Sequence, residues 1–324
     1  MSQKAKSILD LNKPVAVWKS KDLLEESVVP SLTIILRTVG CRWKRCTMCG
    51  YTRESATVND SELLAQFDQA MQGYFGEEIV KIYTSGSFLD AQEVSVEVRD
   101  KILETLRSRS VKRLVIETRP EYVEPESVER LLFQIPTEFS IGLETSNDLV
   151  RNELIRKGFS FQDFVRASQI IRERGGRVKA YLLLKPPLLT EGQAIKDAIF
   201  SAQKARPYAD ILSLNLCNVQ RGTLLERLWE RGGYRPPWLW SAVEVLKNAE
   251  GPIICDPVGA GARMGPHNCG QCDAVVADAI RKHALSQDPV IFESLSCRCM
   301  ATWRRILDLE EQAFSVTINE SASF

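Results

Sequence analysis

The sequence has no net charge: Lys and Arg together number 42, and so do Asp and Glu. Overall charge therefore neither favours nor excludes nucleic acid, and only local clustering can decide. No apolar run reaches membrane-spanning length, and the first residues hold no signal-peptide-like apolar core. A cytoplasmic protein without a membrane partner is expected. A disulfide framework is missing too. The nine cysteines are an odd number, gathered in C-x-x-C and C-x-C patterns, as at metal sites in a reducing compartment. The most telling shortage is local. Cys41, Cys46 and Cys49 lie within nine residues, and the next cysteine is Cys217. A zinc knuckle or a plant-type ferredoxin centre needs a fourth ligand that this stretch lacks.

What is present fits a site that leaves a position open. The triad directly follows an apolar run, Leu32-Thr33-Ile34-Ile35-Leu36, which reads as a buried strand. The cysteines then occupy the loop at its C-terminal end, where α/β sheets and barrels place their chemistry. Three soft thiolates on a [4Fe-4S] cubane leave one iron without a protein ligand. S-adenosylmethionine brings the amine and carboxylate that chelate such an iron. An electron from the cluster then breaks its sulfonium bond to give a carbon radical, with the protein binding and shielding the group.

The 324 residues, 44% hydrophobic, suffice for a barrel-sized domain and an appendage. Residues 1–30 read as an N-terminal extension in which Pro14, Val15, Val17 and Trp18 dock on the body. Further strands are expected at 79–83, 114–116, 139–143, 178–184 and 211–216. Helical patterns lie between them, one opened by an Asn59/Glu62 capping signal, one by Pro125, one by Ser160 and Asp163. Six strand–helix units in series imply an α/β fold, a partial (β/α)6 barrel over residues 31–216. Residues 217–324 are expected as a smaller C-terminal zinc-binding domain. It contains a short helix between Gly222 and Gly233 and a glycine-rich turn at Gly259-Ala260-Gly261.

If that barrel is formed, the strand ends cradle the cofactor. Ser85-Gly86-Ser87 is a small-residue turn that lets backbone approach a ligand closely, or simply a turn. Glu117 and Glu144 stand at equivalent strand ends, where a carboxylate accepts from ribose or ammonium. Arg156 or Lys157 offers a cation for the cofactor carboxylate, or else balances a helix terminus. Lys185, before Pro186 and Pro187, is a further candidate contact for cofactor or substrate.

A second cluster, Cys269, Cys272, Cys297 and Cys299, has the pattern of a closed four-thiolate zinc site. A C-x-C pair is tight for two ligands of one metal, so His267 or Cys255 stands as a substitute. An auxiliary iron–sulfur cluster and plain packing are the competing accounts. Near both clusters run Arg37, Arg42, Lys44, Arg45, Arg53, Arg298, Arg304 and Arg305, with Trp43, Trp238, Trp240 and Trp303 interleaved. Such a set holds phosphates and stacks bases, or is a solvated surface over core tryptophans.

The triad, Ser85-Gly86-Ser87, Glu117-Thr118-Arg119-Pro120, Gly142-Leu143-Glu144 and Lys157-Gly158 occur in the order seen in radical SAM enzymes of the Elongator-catalytic-subunit and coproporphyrinogen-dehydrogenase type. The sequence resembles that group, with a triad one residue longer than its usual form and Lys157 where it has Arg. Gly40 to Tyr51 and Gly265 to Asp273 resemble a narrower family, the radical SAM subunits of archaeosine synthase. That resemblance implies a partner subunit that attaches lysine to 7-cyano-7-deazaguanine in the tRNA D-loop, and a one-electron donor. It also implies radical lyase chemistry that cleaves a C–N bond of the adduct to leave the amidine. Two alternatives differ in class. One is another radical reaction on tRNA, acyl transfer or methylthiolation, although the C-terminal part lacks an acyltransferase signal. The other is a non-catalytic iron–sulfur protein.

Overall fold

A computed structural model describes residues 10–313. Its strands are β1 (Ala16–Leu24), β2 (Ser27–Ile35), β3 (Ile79–Tyr83), β4 (Arg113–Thr118), β5 (Thr137–Glu144), β6 (Arg177–Leu184), β7 (Ile211–Leu216) and β8 (Ile253–Ile254). They hydrogen-bond in sequence order. The chain divides into two compact units. One takes residues up to Lys44, Tyr51–Ser140 and Gln169–Arg177; the other takes Arg45–Gly50, Ile141–Ser168 and the chain from Val178 onward.

In the first unit β1 pairs antiparallel with β2, and β2, β3 and β4 run parallel. Each parallel crossover carries a helix: α1 (Asp60–Met71), then α2 (Val96–Ser108), with α3 (Pro125–Gln134) after β4. Asn59 Oδ1 accepts from Glu62 N at 3.0 Å, and Glu62 returns an oxygen to Asn59 N at 2.8 Å. This reciprocal cap fixes the start of α1 and satisfies two otherwise orphaned amides. Leu63, Phe67, Ala70 and Met71 form the buried stripe of α1, and Val98, Ile102, Leu103 and Leu106 that of α2. Pro125 opens α3, where its missing N–H is no loss. Burying a Leu or Phe on such stripes is worth roughly 1.5–3 kcal/mol each.

In the second unit β6, β7 and β8 are parallel. α5 (Glu191–Ala205) follows β6, capped by Thr190 and Gln193. Beyond β7 come α6 (Leu224–Glu230), α7 (Leu239–Asn248), α8 (Asp273–Ser286) and α9 (Cys299–Ala313). α4 (Phe161–Glu173) and β5 each run across the division between the units.

The expected strands at 32–36, 79–83, 114–116, 139–143, 178–184 and 211–216 correspond to β2 to β7, with Leu36 just past the end of β2. Two more appear. β1 arises from the segment expected as an N-terminal extension, which joins the sheet through a hairpin whose Glu25 has φ +55°. β8 arises beyond residue 217. The C-terminal segment therefore continues the sheet and packs α7 and α9 on α5. Among the described residues no helix is long and apolar enough to cross a membrane.

Candidate functional site: two cysteine centres and their strand ends

In the first unit the chain leaves β2 through Thr38-Val39-Gly40-Cys41. Thr38 Oγ1 donates to Glu93 Oε1 at 2.5 Å, and Gly40 N donates to Thr38 Oγ1 at 3.1 Å. Glu93 Oε2 accepts from the amide of Ser87. One buried carboxylate thus ties the lead into the triad to the turn after β3. Burial pushes its pKa up, against the bonds from Thr38, Ser87 and Thr84. Nothing in the sequence marked Glu93, since its role depends on partners 55 and 6 residues away.

Gly86 packs directly on Cys41: a Cβ there would lie 2.6 Å from Cys41 Cα and 2.8 Å from Cys41 N. Ser87 is buried, and its hydroxyl is 2.7 Å from Thr118 Oγ1. Ser85 and Glu117 are half-buried, and the Glu117 carbonyl accepts from Phe88 N at 2.8 Å, joining the ends of β3 and β4. Next to Cys41, Arg42 is held by Asp90 at 2.6 Å and lies over the Tyr122 ring at 4.9 Å. The guanidinium of Arg119 stacks on Trp43, 5.5 Å from its centroid.

In the second unit the loop of Cys46 and Cys49 is anchored through its backbone. Cys49 N donates to Cys46 O at 3.3 Å, a tight turn. Thr47 N donates to Ile155 O at 2.9 Å, and its hydroxyl to Leu154 O at 2.7 Å. Gly50 N donates to Gln220 Oε1 at 2.5 Å, and Leu225 N to Thr47 O at 3.3 Å. All three triad thiols are half-exposed. Accessible soft thiolates are donors that an iron–sulfur cluster takes.

At the end of β5, Glu144 has φ +66° and accepts from Lys157 Nζ at 2.6 Å. Gly142 makes room for this pair, since a Cβ there would lie 2.7 Å from Nζ and 3.0 Å from Glu144 Oε1. Arg156, with φ +60°, is exposed where a π-helical turn over Val150–Ile155 ends. At the end of β6, Lys185 has φ +60° and pairs with Glu191 at 2.6 Å, both side chains buried. Glu191 also accepts from Trp238 N at 2.7 Å and Ser241 Oγ at 2.6 Å. Lys185, expected as a contact for cofactor or substrate, is thus engaged in a buried ion pair at the start of α5. Left-handed backbone at two successive strand ends is strain of about 1–3 kcal/mol each, the kind kept at functional sites.

Behind β5 lies a buried polar set that the sequence did not announce. Arg151 is fully buried and donates to the carbonyls of Thr145 and Phe159. Burial lowers its pKa to about 10. Thr145 Oγ1 donates to Asp197 Oδ1 at 2.8 Å, and burial raises the pKa of Asp197 to about 6.

The second centre is fully assembled within this unit. The sulfurs of Cys269, Cys272, Cys297 and Cys299 all lie within 4.8 Å of one another. Three of the separations are 3.8 Å (Cys269–Cys272), 3.7 Å (Cys269–Cys297) and 3.6 Å (Cys272–Cys299). Trp240 Nε1 donates to Cys299 Sγ at 3.1 Å and Asn268 Nδ2 to Cys272 Sγ at 3.3 Å, the outer hydrogen bonds that thiolate ligands receive. Backbone N–H groups of Gln271 and Cys272 hold the exposed Cys269 thiol down at about 7. The sulfurs of both members of the C-x-C pair lie within this group. Of the two substitutes, His267 Nδ1 is 2.7 Å from Gly265 O, and Cys255 is buried, its thiol pushed up by burial. Trp238, Trp240 and Trp303 are buried, so these three are core residues and not a base-stacking face.

The sequence profile of the Radical SAM superfamily matches residues 35–196. The chain belongs to that superfamily. It is 46% identical over 323 residues to archaeosine synthase subunit beta of Methanosarcina acetivorans, spanning 95% of this chain and 93% of that one. It is 42% identical over 310 residues to archaeosine synthase subunit beta of Thermococcus kodakarensis, spanning 90% and 96%. The chain belongs to the archaeosine synthase subunit beta family, and its role is a radical SAM role in archaeosine synthesis. Among solved structures, the archaeal Methanocaldococcus infernus Elp3 with an N-terminal deletion is similar at a TM-score of 0.50. It shares 19% identity over 69% of this chain and 59% of that one, a likeness of fold.

Proposed function

We propose that the protein cleaves a C–N bond in a lysine adduct of 7-cyano-7-deazaguanine in the D-loop of tRNA, leaving the amidine of archaeosine. Support comes from one conjunction: a three-thiol loop without a fourth cysteine, in a chain similar over nearly its whole length to archaeosine synthase subunit beta. Cys41, Cys46 and Cys49 hold a [4Fe-4S] cluster. When bound, that cluster with S-adenosylmethionine supplies a carbon radical able to take hydrogen from an unactivated C–H bond, which no side-chain base of ordinary pKa deprotonates. The protein's own part is placement. Gly86 and Glu93 fix the backbone around Cys41, and Thr47 fixes the Cys46–Cys49 turn. Glu144 and Lys157 form a preset ion pair at a strained strand end, for the polar groups of the cofactor. A lysine-transferring partner subunit and a one-electron donor complete the reaction.

The four-cysteine centre holds structural zinc in this account. Four thiolates about 2.3 Å from one tetrahedral ion sit about 3.8 Å apart, against three observed separations of 3.6–3.8 Å and none above 4.8 Å. A cubane carries its cysteine sulfurs on separate irons, farther apart than that.

Anaerobically reconstituted protein, given S-adenosylmethionine, a reductant and tRNA bearing the lysine adduct, yields 5′-deoxyadenosine and archaeosine. Formation of 5′-deoxyadenosine with an acylated or methylthiolated base instead of archaeosine would reject the assignment.

A further inference from the structure

The turn at 259–265 and the helix α6 stood out in the sequence without receiving a role. The structure joins them to the cysteine loop. Gln220 holds Gly50 N, and a Cβ on Gly50 would lie 3.0 Å from Arg221 O. Leu225, the buried residue of α6, donates its N–H to Thr47 O, between Cys46 and Cys49. On the other side, Val219 N donates to Met264 O at 2.8 Å, which lays the turn beside the lead into α6. All these residues belong to the second compact unit.

Four arginines stand on this piece: Arg221, Arg227, Arg231 and Arg263, all exposed. Arg227 on α6 and Arg231 at its C-cap are four residues apart and exposed, whereas Leu225 is buried. Arg263 reaches across from the turn and lies over the Trp229 ring, 5.0 Å from its centroid. Among the described residues none of the four has a carboxylate partner, while Arg42, Arg130 and Arg174 do. The nearby Glu226 is committed to the amide of Gly222. Unpaired guanidiniums, one preset on an aromatic ring, suit a polyanion with regularly repeated anionic oxygens. An acidic protein partner would equally supply charge. The direct backbone link to the Cys46–Cys49 loop favours the molecule whose base must reach that loop.

We propose that α6 and the 259–265 turn bind the sugar-phosphate backbone of the tRNA beside the nucleotide being modified. The inference rests on the tRNA substrate of the proposed function. Phosphate contacts of this kind set register and orientation, not sequence preference.

The test is binding of labelled tRNA by the full chain across a potassium chloride series. The Arg227→Ala/Arg231→Ala/Arg263→Ala variant should bind at least about tenfold more weakly and lose about 2–3 from the slope of log affinity against log salt. The corresponding triple Lys variant should keep most of the slope, since charge is what phosphates read. Single Arg227→Ala and Arg231→Ala variants, on the exposed face alone, should each lower the slope by about 1 without changing the melting temperature. A wild-type slope and affinity in the triple Ala variant would overturn the surface while leaving the substrate intact. Wild-type protein that binds no tRNA at any salt would overturn both.

Discussion

Gly86 and Cys41 touch backbone to backbone: a single methyl on Gly86 would come within 2.6 Å of Cys41 Cα. The turn after β3 is therefore a mould for the first cysteine of the triad. Neither partner can yield freely, since Glu93 Oε2 also lies against the same position. Gly86→Ala should cost about 1–3 kcal/mol as overpacking. It should also lower the iron bound after reconstitution well below that of the parent. Iron content against a far-UV circular dichroism control reads the effect.

The Lys157–Glu144 pair should matter for the cofactor more than for the fold. Lys157→Met should raise the dissociation constant for S-adenosylmethionine at least about tenfold, the loss of one charge-assisted contact. Equilibrium dialysis with reconstituted protein measures it. An unchanged constant would leave the pair a purely structural strand-end clasp.

Asp197 gives a pH signature. Its folded pKa, about 6, lies above the ordinary carboxylate value because of burial. The folded state therefore binds the proton more tightly than the unfolded chain. The stability this contributes is present below pH 4 and is lost as pH rises to about 6, a fall on the order of 2–3 kcal/mol. Denaturant melts across this interval should show the fall, and Asp197→Asn should flatten it.

Each of the four cysteines of the second centre should be needed for its ion. Cys269→Ser, Cys272→Ser, Cys297→Ser and Cys299→Ser should each lose zinc and several kcal/mol of stability, while His267→Ala keeps the metal. Metal analysis with thermal melts decides it. Equal zinc in Cys297→Ser and the parent would remove the C-x-C pair from the site.

Much of this was legible in the sequence because the signals were local. The strands at 32–36 and 178–184 announced themselves as short apolar runs, and α1 through the reciprocal cap of Asn59 and Glu62. β1 was not legible: it is an edge strand with several exposed positions, so it carries no apolar run. β8 is only two residues long. The four-cysteine group was readable from spacing, but that both Cys297 and Cys299 lie within it needed coordinates. Glu93 and the Arg151–Asp197 surroundings were invisible because their meaning lies in partners far along the chain. Glu144 and Lys185 do stand at the ends of β5 and β6, yet Lys185 turns inward to Glu191, a pairing that no spacing rule demands.

The central claim is an iron–sulfur cluster held by Cys41, Cys46 and Cys49 alone. Electron paramagnetic resonance of the anaerobically reduced protein, before and after addition of S-adenosylmethionine, tests it most directly. The account predicts a reduced [4Fe-4S] signal whose g-values shift on addition. A signal unmoved by the nucleoside, or zinc as the sole metal at those thiols, would contradict it.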